Sequence, residues 1–512
     1  MELNLSRFTA RLHNSERLSK LLAQLDLRSP FLHLGVLGAF TWLFYLHMTM
    51  TYPLPGVVAR FPLTDFGRAN NYSPAALEDF LISIFIPFGL YLMAWQVLRR
   101  VSSDRRLLAL VVGFAILFTL TLLIMYPIGA TDLFDYVFYA RILVRYGQNP
   151  LSVPPMVFRS DPFIKTVVWY KTPAPYGPLW VLLTAPGSYL AGDNLTLNLF
   201  AMNVLPAVFF LGCVLVIPSI LKHLGPGHRL VGTLLFAWNP LVLFEAPGNA
   251  HNGIIMMFFL LLAVYFLVRR AWIWVMPALA ASVLIQYASA LLVLPFFLYC
   301  LRAQAGSKNR FRDLVISGVI SSVLVAVVIA PFFAIPTGLL EEAHWFSLLA
   351  VPTLLYHYLK GFIGDSNAGF WTMLGTHLTF LVVYGFGLRR MNSIEHPRGL
   401  VHLSTWLILA YLAMASVSFQ PWFILSPIAL GIWIDHRLVR RVILVSTASG
   451  QLSYAVAFFW VWNWTLWQRI QTNAIVVGVI FGPPLVAGVL TVARDQWVRY
   501  GRTSIDSVAV RP

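Results

Sequence analysis

The chain has 512 residues, of which 59% are hydrophobic and 11% are charged, and its formal net charge is +16. No soluble core could bury that much apolar surface, so the composition excludes a soluble globular protein and predicts an all-α polytopic membrane protein. The basic excess does not indicate a nucleic-acid partner, because the basic residues cluster in short segments between apolar runs. Two cysteines in apolar runs, Cys213 and Cys300, suggest neither a disulfide framework nor a metal site.

The N-terminal segment, residues 1–30, is polar and basic, and the apolar run that starts at Phe31 is followed by no cleavage motif. We expect a retained first span rather than a removed signal peptide. Runs of about 20 apolar residues meet the length criterion for membrane spans. They predict about twelve spans, at 31–51, 80–98, 107–126, 196–221, 230–246, 254–268, 314–331, 371–388, 399–418, 421–435, 440–461 and 474–493.

The distribution of charge predicts which segments face the cytoplasm. With the N-terminus inside, 27 of the 36 Lys and Arg residues fall in predicted inner segments, and most acids fall in outer ones. The positive-inside rule therefore predicts a multi-pass protein with both termini, including a tail at 494–512, in the cytoplasm. A single domain would cover 31–493, and its large loops, 127–178 and 332–370, would place its work outside the cytoplasm.

Two apolar segments do not fit as simple spans. Segment 272–300 has basic residues on both sides, so both of its ends are expected inside. Because Pro277 and the polar pair Gln286-Tyr287 lie within it, it is either a helical hairpin or a long broken helix, which requires protein or a watery cavity around it. Segment 177–191 is short and follows a proline-rich loop, and we interpret it as a helix at the outer interface.

The most informative stretch follows the third predicted span. Asp132 and Asp135 are three residues apart, so they would share one face of a helix that begins at the membrane edge. Charge at that depth is costly, which makes such acids functional candidates. The alternative is a solvated helix N-terminus, where acids are favoured without any further role.

Three further motifs fall on the same predicted face. They are Tyr176-Gly177-Pro178-Leu179-Trp180, Asn239 to Glu245 continuing to Gly248-Asn249-Ala250-His251-Asn252, and Phe419-Gln420-Pro421-Trp422-Phe423. Together with a D-x-x-x-Y pattern from Asp132 to Tyr136 and a G-x-x-P-L pattern from Gly147, they resemble the GT-C superfamily of integral-membrane glycosyltransferases. The likeness is greatest to the bacterial polyprenyl-phosphate-mannose-dependent mannosyltransferases, and it covers about residues 120–430.

The resemblance implies an enzyme of a bacterial-type plasma membrane, with its active site outside the cytoplasm. It would move mannose or another hexose from a polyprenyl-phosphate donor to a hydroxyl of a lipid or glycan acceptor at the bilayer. Asp132 would be the general base, because the acceptor hydroxyl must lose its proton as it attacks the anomeric carbon. Asp135 would support Asp132 or hydrogen-bond the substrate. No cofactor is implied, and although a divalent metal is compatible with the chemistry, no ligand spacing in the sequence supports one.

The leaving phosphate calls for cationic partners. Arg141, Arg145, Lys165 and Lys171 lie in the same loop as the acids, although each could instead anchor to lipid head groups. The other predicted substrate-binding residues are Tyr136, Tyr176, Glu245, His251, Asn252, Gln286, Gln420 and Trp422. Alternatives stay open for several of these: a turn before an interfacial helix for Tyr176, a solvent-facing helix end for Glu245, a hydrogen bond to a carbonyl for His251, and an interfacial anchor for Trp422.

Two positions depart from the family pattern. Relatives usually have Asp where this chain has Gly253, and many have Lys where it has Gln286. The joint change predicts either a lost ion pair, in which case the two positions lie close together, or an altered donor site. A catalytically degenerate relative and a transporter or lipid flippase are the alternatives. A transporter or flippase usually shows repeats and broken helices at the membrane midplane. This sequence has no repeat, and its acids cluster at one predicted membrane edge.

Overall fold

The computed structural model describes residues 29–101, 104–332, 338, 345–456 and 469–508. Most of the predicted N-terminal segment, residues 333–337 and 339–344 of the loop at 332–370, and residues 509–512 of the predicted tail lie outside these ranges. Within them every regular element is a helix, apart from an isolated bridge between Pro53 and Met125. The chain is therefore all-helical over its described length.

The first ten α-helices are α1 (Pro30–Thr51), α2 (Leu54–Arg60), α3 (Phe66–Ala69), α4 (Pro74–Leu98), α5 (Arg105–Leu122), α6 (Asp132–Tyr146), α7 (Pro178–Ala191), α8 (Leu195–Leu224), α9 (Arg229–Ala237) and α10 (Pro240–Leu243). They are followed by α11 (Gly253–Val268), α12 (Trp272–Ile285), α13 (Val293–Ala303), α14 (Arg310–Ile329), α15 (Val351–Ile363), α16 (Asp365–Arg390), α17 (Pro397–Met414), α18 (Leu425–Gly431), α19 (Arg437–Ala455) and α20 (Arg469–Val508). Short 3₁₀ segments lie at Pro155–Val157, Ile164–Thr166, Pro226–His228, Tyr287–Leu292, Met391–Ser393 and Pro421–Ile424, and Phe244–Gly248 is a π-helix.

Seven segments of the described chain are long and apolar enough to cross a membrane: Pro30–Thr51, Pro74–Leu98, Arg105–Leu122, Leu195–Leu224, Arg310–Ile329, Asp365–Ser393 and Asn473–Gln496. The pair Pro226–Ala237 and Pro240–Gly248, bent by 47°, makes an eighth if it counts as one span. Shorter apolar helices lie at Gly253–Val268, Trp272–Ile285, Tyr287–Ala303 and Pro421–Gly431. The protein is therefore a multi-pass integral membrane protein.

Helix α14 shows why such helices need lipid around them. Its exposed apolar residues recur every four positions, at Val315, Val319, Val323 and Val327. This spacing places them on one face of the helix. An exposed apolar face of that length is not stable against water, and it is suited to contact with acyl chains.

The centre of the molecule is the segment from α9 to the start of α11. Every residue from 232 to 257 is buried, including the charged side chain of Glu245. The helical path is interrupted here three times: at Trp238 and Asn239 between α9 and α10, by the π-helix, and at Ala250, which has a positive φ of 57°. Irregular backbone is tolerated at membrane depth where protein surrounds it. The spans predicted at 230–246 and 254–268 therefore contact protein rather than lipid over this stretch.

The predicted break in segment 272–300 is present. Helix α12 ends at Ile285, Gln286 has an extended backbone, and a 3₁₀ turn leads into α13. The adjoining turn before α7 contacts this break closely, because the Gly177 N–H donates to the carbonyl of Ile285 at 3.0 Å. A Cβ at Gly177 would lie 2.1 Å from the Leu284 carbonyl oxygen. Only glycine fits there, and the turn brings the Tyr176 carbonyl within 3.5 Å of the Tyr287 hydroxyl.

Candidate active site

A cavity of about 350 Å³ lies between α6, α11, α16, α17, the turn before α7, the break after α12 and the 3₁₀ turn at Pro421–Ile424. Its polar wall contains Asp132, Trp169, Tyr176, Tyr287, Gln286, Trp345, Gln420 and Trp422. The wall that α11 contributes begins at Gly253 and continues through Met256 to Leu260, about 10 Å further along the helix. The cavity therefore joins a polar region to an apolar one.

Asp132 is the first residue of α6, and its side chain lines the cavity, where protein surrounds it on most sides. Burial raises the pKa of Asp132 above its ordinary value. The charge of His251 and hydrogen bonds from the side chains of Trp169 and Tyr176 act in the opposite direction. A carboxylate that is desolvated in this way is a stronger base than one in water. Asp132 can therefore accept a proton from a group that enters the cavity.

Asp135, one turn further along α6, is fully buried and does not line the cavity. Its Oδ1 accepts hydrogen bonds from the backbone N–H groups of Val168 and Trp169 at 3.0 and 2.9 Å. Burial, followed by the charge of Asp132, raises the pKa of Asp135 well above its ordinary value. Asp135 holds in place the loop segment that carries Trp169 into the cavity, which is a supporting role.

Tyr136 is buried behind the cavity wall. Its ring meets the rings of Tyr176 and Trp180 edge to face, with centroids 5.0 Å apart in both cases. Tyr176 itself lines the cavity, and α7 begins two residues later with Gly177 as its N-cap. The turn predicted for this motif is therefore present, and it also presents a tyrosine to the cavity.

Glu245 and His251 form a buried pair, with 3.0 Å between Glu245 Oε2 and His251 Nδ1. Tyr454 donates a hydrogen bond to the other carboxylate oxygen of Glu245 at 2.7 Å. The alternative of a solvent-facing acid at Glu245 is therefore wrong, since its side chain is fully buried. The His251 ring stacks on Trp422, with centroids 3.9 Å apart, so the pair fixes one aromatic wall of the cavity.

Asn249 links this pair to the start of α6. It donates to Glu245 Oε2 at 3.4 Å, and its Oδ1 accepts from the backbone N–H of Gly129 at 3.1 Å. A Cβ at Gly129 would come within 2.7 Å of the Asn249 amide nitrogen. Glycine three residues before Asp132 therefore permits the contact that ties the two motifs together.

The two positions that depart from the family pattern are neighbours. A Cβ added to Gly253 would lie 3.6 Å from Gln286 Oε1. Gln286 also donates to Asn252 Oδ1 at 3.2 Å. The lost-pair interpretation requires this proximity. Gln420, on the opposite wall, lines the cavity and donates to Ser347 Oγ at 3.3 Å.

The predicted cationic residues lie elsewhere. Arg141 is buried and forms ion pairs with Asp161 at 2.8 Å and with Asp193 at 2.9 Å. Arg145 also pairs with Asp193. The reason is helical geometry, since nine residues place Arg141 on the face of α6 opposite Asp132. The side chains of Lys165 and Lys171 are exposed, and none of these four cations lines the cavity.

Several cavity residues were not predicted from the sequence. The aromatic ones are Tyr139, Trp169, Tyr287, Trp345, Tyr411 and Phe423, and there is also a histidine, His377. In the sequence, His377 is marked only as a polar residue within an apolar helix. In the structure its Nδ1 is hydrogen-bonded to the carbonyl of Met373 at 2.8 Å. Across the described ranges no group of three or more His, Cys, Asp or Glu side chains is placed to hold a metal ion.

A family model described as alpha-(1->6)-mannopyranosyltransferase, N-terminal domain, matches residues 38–303, just over half of the chain. The match includes Asp132, Glu245, His251 and Gln286, and it ends before Gln420.

Individual relatives agree with this match. The chain is 23% identical over 291 residues to alpha-(1->6)-mannopyranosyltransferase A of Mycobacterium tuberculosis, which covers 56% of this chain and 55% of that protein. It is also 23% identical over 239 residues to the protein of the same name from Corynebacterium glutamicum, with 46% and 48% covered. The chain thus spans about half the length of these curated relatives. No solved structure matches it.

Proposed function

The chain belongs to the alpha-(1->6)-mannopyranosyltransferase family, and from that premise we propose that it transfers a mannosyl residue from a polyprenyl-phosphate donor to a hydroxyl of a lipid or glycan acceptor. The observation that carries the proposal is Asp132, a carboxylate with a raised pKa at the polar end of a cavity whose remaining walls are largely apolar. Mannose fits the family, although the resemblance of the motifs alone extends to other hexoses.

The reaction proposed is a direct displacement. The acceptor oxygen bonds to the anomeric carbon while its proton passes to Asp132, and the bond from that carbon to the phosphate oxygen breaks to release polyprenyl phosphate. In the described part of the cavity wall Asp132 is the sole carboxylate. A two-step route would require a carboxylate nucleophile in addition to the base. A single carboxylate in the wall is therefore consistent with the one-step displacement.

The walls fit the two halves of such a donor. Met256, Met257, Leu260, Ile408 and Leu412 form an apolar surface suited to a polyprenyl chain. Their position next to the polar region would place the phosphate near the middle of the cavity.

No Lys or Arg is part of the wall that the structure describes. The phosphate would therefore be held by hydrogen-bond donors of the wall other than Lys or Arg. The amides of Gln286 and Gln420 and the ring of His377 are the candidates. Trp422, fixed by the His251 ring, offers a flat face to the sugar. Arg141 and Arg145 are left to stabilise the loop rather than to bind the donor.

The assay that tests the proposal supplies membranes containing the protein with radiolabelled polyprenyl-phosphate-mannose and follows label into lipid and glycan fractions. Transfer that depends on the protein supports it. Absence of transfer from well-folded protein to every acceptor fraction would favour the degenerate relative instead.

The rate of transfer should fall as the pH is lowered, and it should do so at a higher pH than an ordinary carboxylate would give. Only the ionised form of Asp132 can take a proton, and burial raises its pKa, so the active form is lost earlier on acidification. A profile of transfer rate against pH measures this. A rate that stays constant down to the ordinary carboxylate range would rule out Asp132 as the titrating base.

The proposal includes a GT-C-like fold of about twelve spans. The seven or eight long apolar helices would supply most of them, and short or broken apolar helices would supply the rest. Both termini would be cytoplasmic and the cavity extracytoplasmic.

A cysteine replacing Ser160, which is exposed in the loop after α6, should react in intact cells with a membrane-impermeant thiol reagent. A cysteine replacing the exposed Lys308 should not. Background labelling should be low, because Cys213 and Cys300 are buried. The reverse pattern would place the cavity on the cytoplasmic side and exclude the lipid-donor mechanism as proposed.

A further inference from the structure

A second recess, of about 490 Å³, lies where the ends of three helices meet. It is lined by Ser219, Lys222 and His223 from the last turns of α8, by Arg229 from the start of α9, and by Tyr265 and Arg269 at the end of α11. Four of its six residues are basic and none is acidic. We call it the basic recess.

The basic recess is separate from the catalytic cavity. Helix α11 begins at Gly253 in the cavity wall and ends at Val268, beside Arg269. Sixteen residues of α-helix rise about 24 Å. The two sites therefore lie at opposite ends of the same apolar helix, and in the proposed topology the recess faces the cytoplasm.

The cations of the recess are not neutralised by the protein. In the described part of the chain no acidic side chain forms an ion pair with Lys222, His223, Arg229 or Arg269. The buried Nε of Arg229 has no hydrogen-bond partner, and buried donors are rarely left unsatisfied. Within the described part of the chain, the Arg269 guanidinium donates to one group, the hydroxyl of Tyr265, at 3.1 Å. A ligand with several acceptor oxygens would satisfy these donors.

The positive-inside rule explains basic residues near the ends of spans, and the C-terminal ends of α8 and α11 favour cations there. Neither effect explains why three cations and a histidine from three helices converge on one concave surface. Mutual repulsion disfavours that arrangement unless an anion lies between them.

We propose that the basic recess binds a phosphoryl anion, either the head group of an anionic phospholipid or free phosphate. Guanidinium and ammonium groups match phosphate oxygens by charge-assisted hydrogen bonds. Basic pockets between helices on the cytoplasmic side commonly bind anionic lipid head groups. The proposal for this site does not depend on the sugar-transfer chemistry, and the two can be tested separately.

The test uses full-length protein in nanodiscs of phosphatidylcholine containing a minority of phosphatidylglycerol, with native mass spectrometry to count retained lipids. The wild type should retain phosphatidylglycerol in preference to phosphatidylcholine. The triple variant Lys222→Gln, Arg229→Gln, Arg269→Gln should bind it about tenfold or more weakly, because it removes three charged donors that converge on one head group in the recess.

A matched control removes three exposed basic residues outside the recess, Lys308→Gln, Arg389→Gln and Arg390→Gln, and should retain the lipid as the wild type does. If the triple variant does not fold, the single variant Lys222→Gln tests the proposal in its place. That side chain is exposed, so the variant should fold, and it should retain phosphatidylglycerol severalfold less well than the wild type.

A second arm distinguishes the two sources of the anion. Inorganic phosphate is added to detergent-solubilised protein, and the shift in its thermal midpoint is measured. A phosphate-dependent shift that the triple variant loses, without retained phosphatidylglycerol, assigns free phosphate as the ligand. Equal retention of both lipids by the wild type with no phosphate response, or equal loss in the triple variant and the control, would overturn the proposal.

Discussion

Asp132→Asn is expected to lower the rate of sugar transfer by about two to four powers of ten, the usual contribution of a general base. The amide has almost the same shape but cannot take the proton of the acceptor hydroxyl. Because Asp132 lies at the surface of the cavity rather than in the packed core, the amount of protein in the membrane should stay normal. The measurement is initial transfer from radiolabelled polyprenyl-phosphate-mannose, normalised to the protein level.

The matched control is Asp79→Asn, which removes an exposed acid whose ion pair is with His47. It should transfer sugar at the wild-type rate. Asp135→Asn should behave differently from both, because that buried carboxylate holds the backbone of Val168 and Trp169. We expect a loss of folded protein that accompanies any loss of activity. A wild-type rate in Asp132→Asn, with a folded but inactive Asp135→Asn, would move the base to Asp135.

The sequence was informative where chemistry and local geometry coincide. A charged pair after an apolar run marked Asp132, and the motifs around Tyr176, Gln286 and Trp422 converge on the same cavity. The polar interruption at Gln286 also marked the break after α12. These features depend on residues close together in the sequence, or on polar groups that are costly in an apolar segment. They can therefore be recognised from the sequence without knowledge of the fold.

The sequence was less informative about residues whose roles depend on distant partners. Arg141 shares a loop with the acids, but its binding partners are Asp161 and Asp193, which only the folded loop brings to it. His377 and Trp345 reach the cavity from helices and loops far along the chain. Glu245 could be read as a surface acid because nothing local shows that Tyr454, from α19, hydrogen-bonds its carboxylate.

The number of helices long enough to cross the membrane was also only partly predictable from the sequence. Apolar composition predicts about twelve crossings, whereas seven described helices, or eight with the bent pair, meet the length criterion alone. The difference lies in segments such as α11 and α12, which are apolar but short. Burial against other helices, as for residues 232–257, produces the same composition as contact with lipid, so hydropathy does not separate the two cases.

Gln286→Lys alone should destabilise the protein, by about 2 kcal/mol or more, because it introduces an ammonium group beside a buried glycine with no carboxylate opposite it. Gly253→Asp alone should cost less. Residue 253 is the first of α11, where the helix dipole favours an acid. Gln286 Oε1 lies 3.6 Å from the Cβ position, so rotation of that amide would turn its Nε2 donor towards the new carboxylate.

The double variant separates the two explanations for these departures. In Gly253→Asp with Gln286→Lys the new charges would be neighbours, because a Cβ at residue 253 lies 3.6 Å from the present Gln286 Oε1. The pair should therefore regain most of the stability that Gln286→Lys loses. We expect a coupling of about 1–3 kcal/mol between the substitutions, seen as a thermal midpoint in detergent above the value that the singles predict. Strict additivity would mean that no pair forms there. The two changes would then be independent, and the remaining explanation would be a donor head group bound differently from that of the relatives.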